Sequence, residues 1–349
     1  MRIAQVAPLC ESVPPKLYGG TERVVAFLTE ELVHQGHHVT LFASGDSDTS
    51  ATLVPACREA LRLQGSACRD HLAPHLLMLE QVAAGAHEFD VIHFHISQLH
   101  FPVMRRLPDA VHVTTLHGRL DLEELRPFYR EFADMPVVSI SDAQRHPLPE
   151  AGWISTVHHG LPPDLFTFHS ASGPYLAFLG RISPEKRVDR AIAIARACGV
   201  PLRIAAKIDE ADRKYFERDI APLLDHPLVE FIGEIGEHEK NAFLGGAKAL
   251  LFPIDWPEPF GLVMIEAMAC GVPVIAFPGG SVEEIVEDGV NGFVVESTEE
   301  ASYAVRHIDR IDRRICRERF ERRFTARRMA SQYVDLYREL AATRSGLVA

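Results

Sequence analysis

The feature that most restricts this chain is an alternation, run through twice, of short apolar stretches with stretches of helical periodicity. Arg2–Ala7 reads as a strand. Thr21–Gln35 follows with Val24, Phe27, Leu28 and Leu32 at helical spacing, and Gly36 stands where a helix-ending glycine belongs. Val39–Ala43, Val91–Phe94, Val111–Leu116, Val137–Ile140 and Ile154–Val157 continue the strand series. His169–Pro174 then has the small, polar composition of a linker. After it the pattern restarts, with strands expected at Tyr175–Gly180, Leu202–Ala206, Val229–Ile232, Ala249–Phe252, Val274–Ala276 and Phe293–Val295. Helical patterns separate them at Val188–Cys198, Asp209–Leu224, His238–Gly245, Leu262–Ala269 and Val282–Glu287. Strict alternation demands a parallel sheet with helices on both faces. The fold class expected is therefore α/β: two doubly wound, Rossmann-like lobes over 1–168 and 169–325, facing each other across a cleft. Ligands in such sheets sit beyond the carboxyl ends of the strands, so the chemistry is sought there.

Composition narrows the choices further. A chain of 349 residues exceeds what one core serves, and 47% hydrophobic with 24% charged residues excludes a disordered or fibrous protein. No apolar run approaches the roughly 18–20 residues that span a bilayer. The opening Met1–Cys10 is too brief for a signal peptide and reads as a first strand. Six scattered cysteines without a C-x-x-C pair fit reduced thiols and a cytoplasmic location. A net charge of −12 argues against a nucleic-acid partner and makes any anion site local.

The most informative stretch is Trp256-Pro-Glu-Pro-Phe-Gly-Leu-Val-Met-Ile-Glu-Ala-Met-Ala-Cys-Gly271. Glu258 lies in a proline-flanked loop, and Glu266 about one turn inside the helix that follows. The amides of Phe260, Gly261 and Leu262 point out of the helix start and can hold a phosphate. A carboxylate one turn in can accept two hydrogen bonds from a ribose diol. The plainer alternative is a helix cap with a solvated glutamate. Gly180-Arg-Ile-Ser-Pro-Glu-Lys186 puts two cations, Arg181 and Lys186, on a strand-to-helix loop, as a departing nucleoside diphosphate requires. In the first lobe, Tyr18-Gly-Gly-Thr-Glu-Arg23 closes a long loop and opens a helix. Gly19 and Gly20 there allow close approach of a phosphate or sugar. His117 follows an apolar strand.

Taken together these segments resemble the retaining nucleotide-sugar glycosyltransferases of the GT-B fold, family 4. G-R-I-S-P-E-K at 180–186, E-P-F-G-L-V-M-I-E-A-M-A-C-G-V-P-V-I-A at 258–276, F-P-G-G at 277–280 and E-x-V-E-D-G-V-N-G-F-V-V at 284–295 carry the likeness. It extends over nearly the whole chain and is strongest from 175 to 295. The resemblance implies a hexosyl transfer with UDP-glucose as the modal donor. Arg181 and Lys186 would neutralise the leaving diphosphate and Glu258 would hold the transferred sugar. Glu266 would hold the ribose, and the main chain of Gly233, Glu234 and Ile235 would frame the base. Gly19 and Gly20 would lie against the donor phosphates, and His117 would contact the sugar. The stretch 326–349 looks like the family's terminal helix, packing back on the N-terminal lobe.

No metal or other cofactor is expected, since protein cations serve the phosphates. Asp121-Leu-Glu123 reads as the start of a helix rather than a metal motif. One departure from the family is Ala205-Ala-Lys-Ile-Asp209 where a glycine-rich turn is common, leaving Lys207 either a third cation or exposed. His93 and His95 project to one side of a strand like a metal pair, but without a third ligand they read as packing or cleft lining. From Arg306 to Arg328 lie ten arginines among four acids, read as a solvated helical face in preference to a membrane-facing patch. Retention by a covalent intermediate or by front-face attack stays open, with the resemblance favouring the second. A sugar-nucleotide epimerase, a phosphorylase and, from another class, a two-lobed solute-binding protein are the rival readings. The acceptor is not legible; V-P-P-x-x-Y-G-G resembles members that glycosylate small molecules.

Overall fold

The computed structural model describes residues 1–16, 19–65 and 68–347. The chain divides into two compact units, Met1–Pro162 with the residues from Ala326 onward, and Pro163–Thr325.

The first unit is built on a seven-stranded sheet in the order β3-β2-β1-β4-β5-β6-β7. Its strands are β1 (Arg2–Val6), β2 (His38–Ser44), β3 (Thr52–Cys57), β4 (Val91–Phe94), β5 (His112–Thr115), β6 (Val137–Ser139) and β7 (Trp153–Thr156). Every pairing is parallel. β4 is buried along its whole length, as a central strand covered on both faces must be. The helix Gly20–His34 turns Val24, Val25, Leu28 and Leu32 inward, and the helix Ala326–Leu347 packs against it.

The second unit has six parallel strands in the order β10-β9-β8-β11-β12-β13. They are β8 (Tyr175–Arg181), β9 (Leu202–Lys207), β10 (Val229–Gly233), β11 (Ala247–Phe252), β12 (Val274–Ala276) and β13 (Gly292–Val294). The strand order reverses between β1 and β4 in one sheet and between β8 and β11 in the other. Those reversals open the crevices in which doubly wound sheets bind ligands.

Three expectations are corrected. Thr52–Cys57 forms an edge strand, β3, where no strand is expected; half exposed and carrying Pro55, it lacks the apolar pattern of its neighbours. The helix expected over Asp209–Leu224 is broken into 3-10 (Glu210–Asp212), α (Arg213–Tyr215), π (Phe216–Ile220) and α (Ala221–Leu224) segments. Pro222 accounts for the π turn, because it cannot donate to the carbonyl four residues back. The lobe boundary falls after Pro162 rather than after Phe168. The Arg317 guanidinium donates to the carbonyls of Pro163 and Phe166, and Arg313 to that of His169. A Cβ on Gly271 would lie 2.6 Å from the Phe168 ring. The segment after Pro162 is thus held by the second unit.

The same contacts overturn the reading of Arg306–Arg328 as a solvated face. Arg313 is buried and donates also to the carbonyls of Ala247 and Gly245, 3.0 and 3.2 Å away. Arg317 reaches the carbonyl of Ala269 at 2.8 Å. Arg319 and Arg323 pair with Glu287 at 2.9 and 3.0 Å. Four of the ten arginines are structural; Arg306, Arg310, Arg314, Arg322, Arg327 and Arg328 remain exposed.

Candidate functional site

In the second unit the named residues gather on the loops at the carboxyl edge of the sheet. Arg181 ends β8 and lies in register with Lys207, which ends β9. Gly233 ends β10 with φ +79°, a conformation suited to glycine, and has open space beside it. Glu234 is exposed and Ile235 half-buried on the turn that follows.

The loop after β11 carries the densest set of contacts. Lys186 donates to Glu258 Oε2, which also accepts the Trp256 indole N–H at 3.0 Å. The Lys186 ammonium stands 5.0 Å from the Trp256 ring centroid and 5.7 Å from that of Phe252. Glu258 is buried, so its charge depends on these donors. The two loops are stitched together by the Asp255 amide donating to the Glu185 carbonyl at 2.9 Å and by Arg187 donating to the Asp255 carboxylate at 2.9 Å. Arg187 itself is a non-glycine residue at φ +52°.

The turn at 277–281 supports the Glu258 loop from below. Ser281 donates its amide to the Glu258 carbonyl at 2.9 Å and its hydroxyl to the Phe260 carbonyl at 2.7 Å. Gly280, at φ +58°, lies so near that a Cβ there would fall 2.1 Å from the Glu258 oxygen. Gly261, at φ +80°, caps the helix Leu262–Ala269. Glu266 follows one turn in, buried, with Lys240 3.3 Å from its Oε1. Lys240 also pairs with Glu237 at 3.2 Å. Lys240 and Ser281 escape a motif-based reading, because each lies outside the loops that carry the expected chemistry.

Arg181 differs from the expected open cation. Glu185 accepts from it at 2.6 Å, and Asp209 and Asp212 stand 3.7 and 3.6 Å away. Lys207, which the sequence left as either a third cation or an exposed side chain, pairs with Asp209 at 2.9 Å. Two cations thus face three carboxylates on this corner of the sheet.

In the first unit, Gly19 caps the helix Gly20–His34 with an extended backbone, so crowding rather than conformation favours glycine there. A Cβ would lie 2.8 Å from that of Pro15 and 3.1 Å from Glu22 Oε2. Tyr18 of the same motif lies outside the described residues. Gly20 is exposed at the helix start. Burial, then the neighbouring Glu11 carboxylate, raise the pKa of Glu22, partly offset by its own amide.

His117 follows β5 and is half-buried. Its ring stacks on His159 with centroids 5.2 Å apart, and its Nε2 lies 2.9 Å from His95 Nδ1. Burial drives its pKa down to about 3, so the ring is neutral. Buried Gln144 donates to the carbonyls of Leu116 and Gly118, both at 2.9 Å, which fixes the main chain on either side of His117. His93 and His95 are both engaged by side chains of the first unit. His93 spans Tyr337 and Thr115, both at 2.7 Å, and His95 spans His117 and Gln5. Among the described residues no group of three or more His, Cys, Asp or Glu side chains gathers as for a metal ion. No helix there is long and apolar enough to cross a membrane. Asp121 is engaged by Arg119 at 2.7 Å, and the helix begins later, at Leu125.

Comparison with known proteins covers most of the chain. The family described as "Glycosyl transferases group 1" matches residues 167–324, and "Glycosyltransferase Family 4" matches 18–143. The phosphatidyl-myo-inositol mannosyltransferase of Mycobacterium leprae is 26% identical over 99% of this chain and 98% of its own. Among solved structures, AviGT4, a glycosyltransferase involved in avilamycin A biosynthesis, superposes with a TM-score of 0.72 at 24% identity, covering 98% of both chains. Anabaena Alr3699/HepE, solved in complex with UDP and glucose, gives 0.74 at 20% identity over 97% of this chain and all of that one.

Proposed function

The chain belongs to the glycosyltransferases of family 4, with the GT-B architecture, and we propose that it transfers a hexosyl unit with retention from UDP-glucose to an acceptor hydroxyl, without a metal. The observation that carries this reading is the set Lys186, Trp256 and Glu258 on the loops after β8 and β11, with Glu266 one turn inside the next helix. That set lies at the reversal of strand order, where a nucleotide is expected.

In this reading Glu266, steadied by Lys240, accepts both ribose hydroxyls, and the amides behind Gly261 meet the diphosphate. The main chain from Gly233 to Ile235 frames the base. Glu258 accepts from hydroxyls of the sugar. As the bond to the anomeric carbon breaks, charge grows on the diphosphate, and Lys186 exchanges part of its attraction to Glu258 for the leaving oxygen. Arg181 contributes only after its acidic neighbours are outcompeted by the phosphates. Gly19, Gly20 and His117 of the first unit contact the donor's phosphates and sugar. The acceptor hydroxyl attacks the face that the diphosphate has left. The scattered free thiols fit a cytoplasmic enzyme, and the V-P-P-x-x-Y-G-G opening supports a small acceptor.

A thermal-shift panel of nucleotide sugars, followed by transfer assays in EDTA, tests this. Stabilisation by UDP-glucose above other donors, with transfer undiminished by chelation, is the expected result. Loss of transfer in EDTA with recovery on magnesium or manganese would remove the metal-free mechanism. Turnover only with inorganic phosphate as acceptor would make the enzyme a phosphorylase.

A further inference from the structure

The corner of the second unit around Arg181 carries more acid than a phosphate site needs. Arg181 and Lys207 end neighbouring parallel strands in register, and the Ile182 amide donates to the Lys207 carbonyl at 2.8 Å. Asp209, the last residue of the segment that departs from the family's glycine-rich turn, and Asp212 flank a single turn behind Lys207. The Asp212 amide closes that turn on the Asp209 carbonyl at 3.0 Å. Both carboxylates are thereby brought to one guanidinium: Asp212 lies 3.6 Å from Arg181 Nε and Asp209 3.7 Å from Nη1, while Glu185 accepts from Nη2 at 2.6 Å. Asp209 also pairs with Lys207 at 2.9 Å. Three negative charges thus surround two positive ones. Asp212 registers the surplus: burial raises its pKa, and the downward pull of Arg181 is opposed by the Glu185 and Asp209 carboxylates.

A phosphate oxygen held by Arg181 at about 2.8 Å stands roughly 6–9 Å from these carboxylates, a range that salt screens only in part. The repulsion falls unequally on substrate and product. In a nucleotide sugar both phosphates are esterified on either side, and the diphosphate carries two negative charges. When the bond from the anomeric carbon to the β-phosphate oxygen breaks, the electron pair stays on that oxygen. The phosphate is then terminal and bears a further charge above a pKa of about 6.

We propose that Asp209 and Asp212 are specificity-determining residues of the leaving-group site, which disfavour the nucleoside diphosphate product more than the nucleotide-sugar donor and so limit product inhibition. The proposal rests on the reading of Arg181 as a partner of the departing diphosphate. One unit of charge at this range, between the water and near-surface dielectric limits, changes an equilibrium constant about fivefold.

The test is calorimetric titration near pH 8 of UDP, ADP and GDP, and of their glucose conjugates, into the wild type, Asp209→Asn, Asp212→Asn and Asp212→Ser. Each variant should bind the diphosphate more tightly, and the ratio of donor Kd to diphosphate Kd should rise about fivefold per carboxylate removed. The diphosphate's inhibition constant should fall in step, and the gain should shrink in about 1 M salt, where the screening length is only about 3 Å. Single-turnover transfer, in which release plays no part, should not fall. Diphosphate affinity unchanged or weakened in all three variants, or equal gains for diphosphate and nucleotide sugar, overturns the proposal. So does a fall in single-turnover transfer, which would make the aspartates mere supports of Arg181. Tight binding of ADP or GDP in place of UDP would fault the donor assignment alone, since the ratio is then read on the base that binds. A wild type that binds none of the three would remove both readings.

Discussion

Replacing Lys186 with alanine should produce two separable losses, one in stability and one in the chemical step. Lys186 and Trp256 are the side-chain donors to a buried Glu258 carboxylate, and its main chain is held by Ser281. Removing one member of a buried ion pair costs roughly 3–5 kcal/mol, because the other charge is left uncompensated. Here the indole N–H remains, and the Lys186 side chain retains 18% exposure, so the cost is discounted to about 2 kcal/mol. In a unit of this size that is roughly 4–8 °C in melting temperature. The catalytic loss is larger: a preorganised group facing developing charge is worth about 3–4 kcal/mol, so kcat should fall on the order of a hundredfold or more while the donor KM rises much less. Adding Glu258→Gln to Lys186→Ala separates the two. The neutral amide no longer needs the ammonium, so the double variant should regain most of the lost melting temperature and none of the lost kcat. Melting curves and single-turnover kinetics measure both. An unchanged kcat under conditions where chemistry limits turnover would refute the leaving-group role. A double variant no more stable than Lys186→Ala would refute the buried-charge argument.

The two glutamates should divide their effects. Glu266→Ala should weaken calorimetric binding of both UDP and the donor, and Glu258→Ala should leave UDP affinity nearly intact while impairing transfer; equal losses would contradict the assignment. Acid should undermine the first unit. His93, His95, His117 and His159 have folded pKa values below the ordinary imidazole value, burial being the main cause, so below pH about 6.5 the unfolded chain binds more protons than the folded one. For His117 this stability is full above pH 6.5 and is lost between there and about 3, by up to roughly 1.4 kcal/mol per pH unit. A melting temperature flat from pH 7.5 to 5 would speak against neutral buried rings. Gly280→Ala should cost well over about 2 kcal/mol, through its left-handed backbone and the clash with the Glu258 carbonyl. Gly233→Ala, with similar φ and open space, should cost about 1 kcal/mol; equal melting temperatures for the two would contradict the clash.

Most of the architecture could be read because the strands that matter are central ones. Val91–Phe94 is buried throughout, and Arg2–Val6 and Leu202–Lys207 are buried but for Arg2, Arg203 and the half-buried Lys207, so all three announce themselves as largely apolar runs. The edge strand Thr52–Cys57 has one neighbour and a half-wet surface, and so shows no such run. The site was legible where chemistry is local. Glu258, Gly261 and Glu266 owe their geometry to one turn and one helix. It was opaque where partners are distant or compete. Nothing in G-R-I-S-P-E-K says that Asp209 and Asp212 will reach Arg181 from the loop after the next strand. Nor can any spacing reveal that Gln5 will meet a tyrosine 332 residues away. The arginines of 306–328 look solvated by composition, and only packing distinguishes Arg313 from Arg314.

Arg313 and Arg317 grip the second unit through six carbonyl oxygens, those of Pro163, Phe166, His169, Gly245, Ala247 and Ala269. A carbonyl is common to all twenty residues, so this clasp recognises a path of the main chain and not the letters along it. The segment it holds is therefore free to drift in sequence wherever its side chains do not themselves pack, as Phe166 and Phe168 do. The burden of specification falls on the two guanidinium groups. Lysine, with a single ammonium, cannot reach three oxygens in the plane that a guanidinium spans. A scan of all substitutions would find tolerance at Asp164 and Leu165 beside near-complete intolerance at Arg313.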